Sequence, residues 1–232
     1  MKKKKMNEKK KIAILTPTRD GLTDISYSTS LMATIKDLGD EYDIRPTLVS
    51  GISDIVQGRN KLFNLWLKSD ADYCLWVDSD ISWNPVDLKS MLDSPCSVIA
   101  GNYPKKANDY RSFLQFASTL QEHTGEIDVE KALEASYSYI STGRHNKYTE
   151  GELKGLMSVG GIGMGFFLMH RSAVEPLLDW ASTNMQKINI TTLLGETTAG
   201  YPFFNHIVDD EYGDNGSLEC FGEDFSFCKR LG

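Results

Sequence analysis

Two spacings of apolar positions alternate along the first hundred residues. Ile12 to Leu15 is a short continuous apolar run that ends in Thr16-Pro17-Thr18-Arg19-Asp20-Gly21, a loop signal, so it reads as a strand. From Ile25 to Leu38, the residues Leu31, Ile35 and Leu38 recur at helical spacing and stop at Gly39. Ile44 to Val49 alternates as a second strand. Ile55 to Leu67 reads as a helix, with Val56, Leu62, Phe63, Trp66 and Leu67 along one side. Tyr73 to Val77 is short, apolar and rich in aromatic and β-branched residues, the signature of a strand buried on both faces. Trp83-Asn84-Pro85 then opens a helix running to Leu92, with proline at its first position. Ser97 to Ala100 is a fourth strand, leading into Gly101-Asn102-Tyr103-Pro104.

This strand–helix alternation predicts an α/β fold: a mostly parallel, Rossmann-like central sheet with right-handed crossovers, flanked by helices, in a single domain. Beyond residue 104 the pattern weakens. Residues 105 to 155 read as polar and irregular, with one helical stretch at Val129 to Tyr139. Val159 to Met169 (VGGIGMGFFLM) reads as a glycine-punctuated strand, Ser172 to Trp180 as a helix, Thr191 to Gly216 as a loop, and the segment after Phe221-Gly222-Glu223-Asp224 as a terminal helix.

Composition adds a substantial core, 41% hydrophobic against 25% charged residues over 232 positions. The formal net charge is −7, although seven lysines crowd the first eleven residues. That tail, residues 1–11, reads as a disordered, solubilising terminus ahead of a domain spanning 12–232. The acidic body argues against nucleic acid as a partner, which needs a basic face. No run approaches the ~20 apolar residues of a membrane span, and Ile12 to Leu15 is too short for the core of a signal peptide. Cys74, Cys96, Cys220 and Cys228 form no CxxC pair and indicate neither a zinc site nor a disulfide framework, so the expected setting is cytosolic.

Candidate chemistry concentrates where strands end. Asp78 and Asp80, with the small Ser79 between them, follow the Tyr73–Val77 strand, and ligands of open α/β sheets bind at such carboxyl edges. Paired carboxylates there suit Mg²⁺ or Mn²⁺ completed by phosphates and water. Thr16, Pro17, Thr18 and Arg19 occupy the equivalent end of the first strand, without the glycine pattern of a dinucleotide fold or a P-loop. Arg59 can neutralise a phosphate or stack on a base, and Asn60 can hydrogen-bond one. Glu223 and Asp224 open the last helix, where the dipole favours carboxylates; they serve either as caps or as a base. The glycines from Gly160 to Gly165 let either a ligand or a neighbouring element approach the backbone. Of four histidines, His206 alone falls in a segment expected near the cleft.

These segments together resemble the GT-A glycosyltransferases, the nucleotide-diphospho-sugar transferase superfamily, and most closely its family 2-like bacterial and viral members. The resemblance rests on KIAILTPTRD, GRNKLFNLWLKSDADYCLWVDSD, ISWNP, VIAGNYPKK, VGGIGMGFFLMHR and FGEDFSFCKRL, in the family's order. It implies a GT-A fold and transfer of a sugar from a nucleotide-diphosphate donor, UDP-linked by family default, to a hydroxyl of a glycan or other small acceptor. It further implies that Asp78 and Asp80 hold Mn²⁺ or Mg²⁺ on the donor diphosphate. Thr16, Pro17, Thr18, Arg19, Asp54, Arg59, Asn60, Asp78 and Ser79 contact the donor, and Gly161 lies in the floor beneath the sugar. Asp224, with Glu223 beside it, matches the acid that is the base of inverting members, and because retaining members also carry acids in this region the stereochemistry stays open. Lys105 and Lys106, past the fourth strand, either assist the leaving group or are surface lysines. Many members continue to a strand whose histidine completes the metal site, whereas this chain stops at Arg230-Leu231-Gly232. Three alternatives stand: His206 supplies that ligand, water does, or the chain is cut short of it.

Competing readings are a sugar-nucleotide pyrophosphorylase, disfavoured because TPTRDG lacks the glycine-rich basic loop; a non-catalytic nucleotide-sugar binding domain of a larger protein; and a transferase acting on modified nucleic-acid bases, disfavoured by the acidic body.

Overall fold

The computed structural model describes residues 8–105, 109–139, 147–148, 155–191, 195–212 and 218–232. The first half runs β1 (Lys10–Pro17), α1 (Ile25–Leu38), β2 (Tyr42–Val49), α2 (Ile55–Lys68), β3 (Tyr73–Val77), α3 (Pro85–Asp93) and β4 (Val98–Ala100). The second half runs α4 (Tyr110–Thr124), α5 (Val129–Ser136), β5 (Lys147–Tyr148), β6 (Met157–Ser158), β7 (Phe166–His170), α6 (Val174–Asn184), β8 (Ile188–Thr191), β9 (Thr197–Gly200), β10 (Val208–Tyr212), β11 (Leu218–Cys220) and α7 (Glu223–Leu231).

A five-stranded mixed sheet in the order β2-β1-β3-β7-β4 organises the chain. β1 pairs in parallel with β2 and β3. β7 pairs antiparallel with both β3 and β4. β4 therefore points the same way as β3 but does not touch it, which corrects the continuous parallel sheet expected from the alternation. Three antiparallel pairs, β5–β6, β8–β9 and β10–β11, lie outside this sheet.

Central strands bury both faces, and their side chains sort by the period of two. Ala13, Leu15, Cys74, Trp76, Phe167 and Met169 enter one core with Leu62, Phe63 and Trp66 of α2, Phe203, Phe204 and Phe227. Ile12, Ile14, Leu75, Val77 and Leu168 enter the other, with Tyr27, Trp83, Leu88 and Met91. Fully burying a side chain of this size contributes about 1.5–3 kcal/mol.

Helix starts follow local chemistry. Asp54 caps α2 by accepting the Val56 N–H at 2.9 Å, and Asn84 caps α3 through the Val86 N–H with Pro85 at the first position. α1 spans its expected residues but turns a different face inward. Tyr27, Ser30, Thr34 and Leu38 are buried, whereas Ile35 is exposed. Trp83 explains the shift: its backbone N–H donates to Ser30 Oγ at 3.0 Å and its indole to Thr34 Oγ1 at 2.8 Å, so both buried hydroxyls are satisfied.

Later elements depart further from expectation. α4 was read as irregular polar chain, and α5 ends at Ser136 rather than Tyr139, which instead bridges Pro104. Only Phe166 to His170 of the glycine-punctuated run forms a strand. The helix expected at Ser172 begins as a 3-10 turn, Arg171–Ala173, and continues to Asn184. Strands β9 and β10 occupy part of the expected Thr191–Gly216 loop. Among the described residues, no helix is long and apolar enough to cross a membrane.

Candidate functional site

A cleft of about 440 Å³ opens at the carboxyl ends of β1 and β3. Pro17 contributes from β1, Asp78, Ser79, Asp80 and Ile81 from the end of β3, Ile55 and Arg59 from α2, Tyr103 and Pro104 from the segment after β4, and Glu223 and Asp224 from α7. Residues distant in sequence meet here because the crossover α2 lies between β2 and β3 in the chain and delivers Arg59 beneath the β3 end.

Arg59 is the buried centre. Its side chain is 3% exposed and its guanidinium lies over the Trp76 ring, 5.5 Å from the centroid. Nη2 donates to Asp78 Oδ1 at 3.2 Å. Nε stands 3.2 Å from Asp224 Oδ1 and 3.8 Å from Glu223 Oε1. The Nε–Asp224 approach lacks hydrogen-bond alignment, so Arg59 Nε and Nη1 and Asp224 Oδ1 remain buried without hydrogen-bond partners. Burial alone would lower the Arg59 pKa, but Asp78, Asp224 and Glu223 outweigh it and hold the cation above its usual value.

Asp224 is fixed from the other side, its Oδ2 accepting the Met164 N–H at 3.0 Å. Burial pushes its carboxyl above the ordinary carboxylate range; Glu223 adds to that, while Arg59 and the Met164 amide oppose it. Neither Glu223 nor Asp224 caps α7, whose N-cap is Gly222 without a side-chain bond. Tyr103 accepts the Gly165 N–H on its hydroxyl at 2.7 Å, and burial, then Asp78, raises its pKa so that it stays a phenol.

Three carboxylates, Asp78, Glu223 and Asp224, thus surround one guanidinium, and the exposed Asp80 shares the cleft lining with them. Carboxylate oxygens are the ligands Mg²⁺ and Mn²⁺ prefer, and Asp224 Oδ1 is buried without a hydrogen-bond partner, but Arg59 already supplies the positive charge beside it. Among the described residues no set of three or more His, Cys, Asp or Glu side chains is poised to hold a metal, so Asp78, Asp80 and His206 are not gathered into one. His206 is exposed and absent from the cleft lining.

Other sequence candidates have different employment. Thr16 is fully buried and its hydroxyl bonds Tyr27 at 2.6 Å. Thr18 accepts the Gly21 N–H, Arg19 is exposed, and Asp54 caps α2. The Asn60 amide is consumed by the 203–205 segment: Oδ1 accepts the Phe204 N–H at 2.9 Å and Nδ2 donates to Asn205 Oδ1 at 3.1 Å. Gly161 packs against Phe225, whose ring occupies the place a Cβ would need. None of these six lines the cleft. Lys105 is exposed beside Pro104, and Lys106 lies outside the described residues. Sequence reasoning assigned nothing to Tyr103 or the Met164 amide, although GNYP after a strand end marked a loop at the sheet edge.

A more open cavity of about 580 Å³ sits at the other end of the parallel strands, against Lys9, Lys11, Tyr42, Asp43 and Arg45. Its Lys11 and Arg45 are paired with Glu8, Asp43 and Asp70, and it faces away from the carboxyl edge where α/β sheets bind ligands.

No protein-family model, curated protein or solved structure matches this chain.

Proposed function

We propose that the chain is a metal-dependent glycosyltransferase of GT-A type, moving a sugar from a UDP-linked donor to a hydroxyl of a glycan or other small acceptor. The observation that carries this reading is the convergence of the β3-end acids and the α7 acids on one cleft around buried Arg59. Asp78 and Asp80 would hold the divalent cation, which would supply Lewis-acid stabilisation of the departing diphosphate. Asp224 would take the acceptor proton as the new bond to the anomeric carbon forms and the bond to phosphate breaks. Two features suit it to that role. The Met164 amide orients its carboxylate, and a pKa raised above the usual range brings the base nearer to working pH. Arg59, outnumbered by its own carboxylate partners, supports the acids rather than the phosphates.

One feature favours donor binding without turnover as a second reading: Asp224 Oδ2 is held by the Met164 N–H, and Oδ1, without a hydrogen bond, faces the Arg59 cation at 3.2 Å. The test is calorimetric titration of UDP and UDP-sugars, with and without Mn²⁺, against wild type and Asp80→Ala. Mn²⁺-dependent binding abolished in Asp80→Ala is expected. No nucleotide binding by a folded wild type overturns the reading. Transfer with retention, seen by NMR of the product, removes Asp224 as an inverting base, and binding without transfer selects the second reading.

A further inference from the structure

Three successive peptide units touch the Asp224 carboxylate, the Tyr103 hydroxyl and the backbone of Asp78. The Met164 N–H donates to Asp224 Oδ2 at 3.0 Å, the Gly165 N–H donates to the Tyr103 hydroxyl at 2.7 Å, and the Gly165 carbonyl accepts the Asp78 N–H at 3.2 Å. The outer two units hold the α7 and β3 carboxylate residues; the middle one is held by Tyr103. Gly165 has no side chain to restrain its dihedrals, and none could be added, because a Cβ would collide with the Tyr103 hydroxyl and Cζ. The phenol packed against the turn therefore fixes its middle unit, between the two bonds that hold its ends.

We propose that Tyr103 is a positioning residue whose hydroxyl, acting through the Gly165 amide, sets the spacing of Asp78 and Asp224 across the cleft. Its catalytic consequence rests on the transferase reading above; its geometric content does not. Tyr103 lines the cleft, so the phenol that holds the Gly165 amide stands between the two acids.

Tyr103→Phe keeps the ring and removes only the hydroxyl. In steady-state transfer, kcat is expected to fall about 100-fold with KM for the donor little changed, the size of effect that a misplacement of ~1 Å produces. Gly165→Ala, which displaces the hydroxyl, should cause the same loss, and the double variant should be no worse than Gly165→Ala alone, because both break one link. Val174→Ala in α6, a core residue outside the cleft lining, controls for stability. Wild-type kcat in Tyr103→Phe, or a loss matched by Val174→Ala at equal Tm, overturns the proposal. If the wild type transfers no sugar, the transferase reading has failed instead. Amide hydrogen exchange then decides: Tyr103→Phe should speed exchange at Met164, Gly165 and Asp78 by about tenfold or more, without change in α6. Unchanged exchange at those three amides overturns it.

Discussion

Two arginine-centred clusters sit at opposite ends of the parallel strands, and their contrast separates exposed charge from buried charge. Arg45, in β2, reaches Asp43 at 2.7 Å and Asp70 at 2.5 Å, and Asp70 is shared with Lys11 at 3.0 Å. Arg59, in α2, reaches its three acids only at 3.2 to 3.8 Å. Distance alone would rank the first cluster as the stronger. Setting reverses the order: the Arg45 side chain is 41% exposed and the Arg59 side chain 3%. Exposed pairs contribute little, because water and salt already solvate their charges. A buried cation cannot be abandoned by its partners without a large penalty. The two carboxyl pKa values shift in opposite directions, as the two settings require. Lys11 and Arg45 hold Asp70 down to about 2, whereas burial pushes Asp224 up. The surface cluster is satisfied by its own partners, whereas the buried one leaves Asp224 Oδ1 without a hydrogen bond.

The largest expected break in this contrast is Arg59→Met, which keeps most of the stem and removes the cation. Denaturant unfolding at pH 7 should show a loss of about 3 kcal/mol, the low end for breaking a buried pair because the stranded acids retain access to cleft water. The loss should shrink as pH falls through the carboxylate range, since protonated acids need no cation.

Asp224→Asn should move stability and activity in opposite directions. A carboxyl whose folded pKa is raised contributes stability below its unfolded pKa and loses it as pH rises through the folded value. At pH 7 the amide should therefore be as stable as wild type or more so, by about 0.5–1 kcal/mol. That advantage should vanish towards pH 3, while transfer falls by about 10²–10⁴-fold. Thermal melts across that pH range, beside initial rates, check both halves; a variant less stable at pH 7 contradicts the sign.

Smallest is Arg45→Ala. Its effect on Tm should be slight at low salt and absent near 1 M salt, where the screening length is about 3 Å. Asp70 has a lowered folded pKa, so its contribution is present above the unfolded pKa and lost as pH falls through about 2.

The first half of the fold was legible because its signals are local. The uninterrupted burial of β3, the Asp54 cap and the Asn84-Pro85 start are all written within a few residues of where they act. Insertion of β7 between β3 and β4 was not legible, because that pairing joins residues some ninety positions apart and leaves no trace in either strand's periodicity. α4 was missed for a different reason: Ala117 is its one buried residue among those described, and Leu114 stays exposed, so its apolar spacing reflects little packing. Site residues divided the same way. Asp78, Asp80 and Asp224 announced themselves as acids at element ends, and all three line the cleft. Asn60 and Thr16 carry suitable donors, but residue type does not reveal that Phe204 and Tyr27 arrive to occupy them.

Arg171 gives helix α2 a mechanical character. From the residue following β7, its guanidinium donates to the carbonyls of Trp66, Leu67, Ser69 and Ala71 and lies 4.8 Å over the Trp66 ring. The carbonyls at a helix C-terminus are the ones that ordinarily fray into water. Here they are riveted to the sheet, while Asn60 and Asn64, in the middle of the helix, are bolted to residues 201–205. α2 is thus a strut clamped along its length. A displacement of the floor under Arg59 would have to shear both sets of fastenings together, so compliance of the cleft belongs to its walls and not to its base.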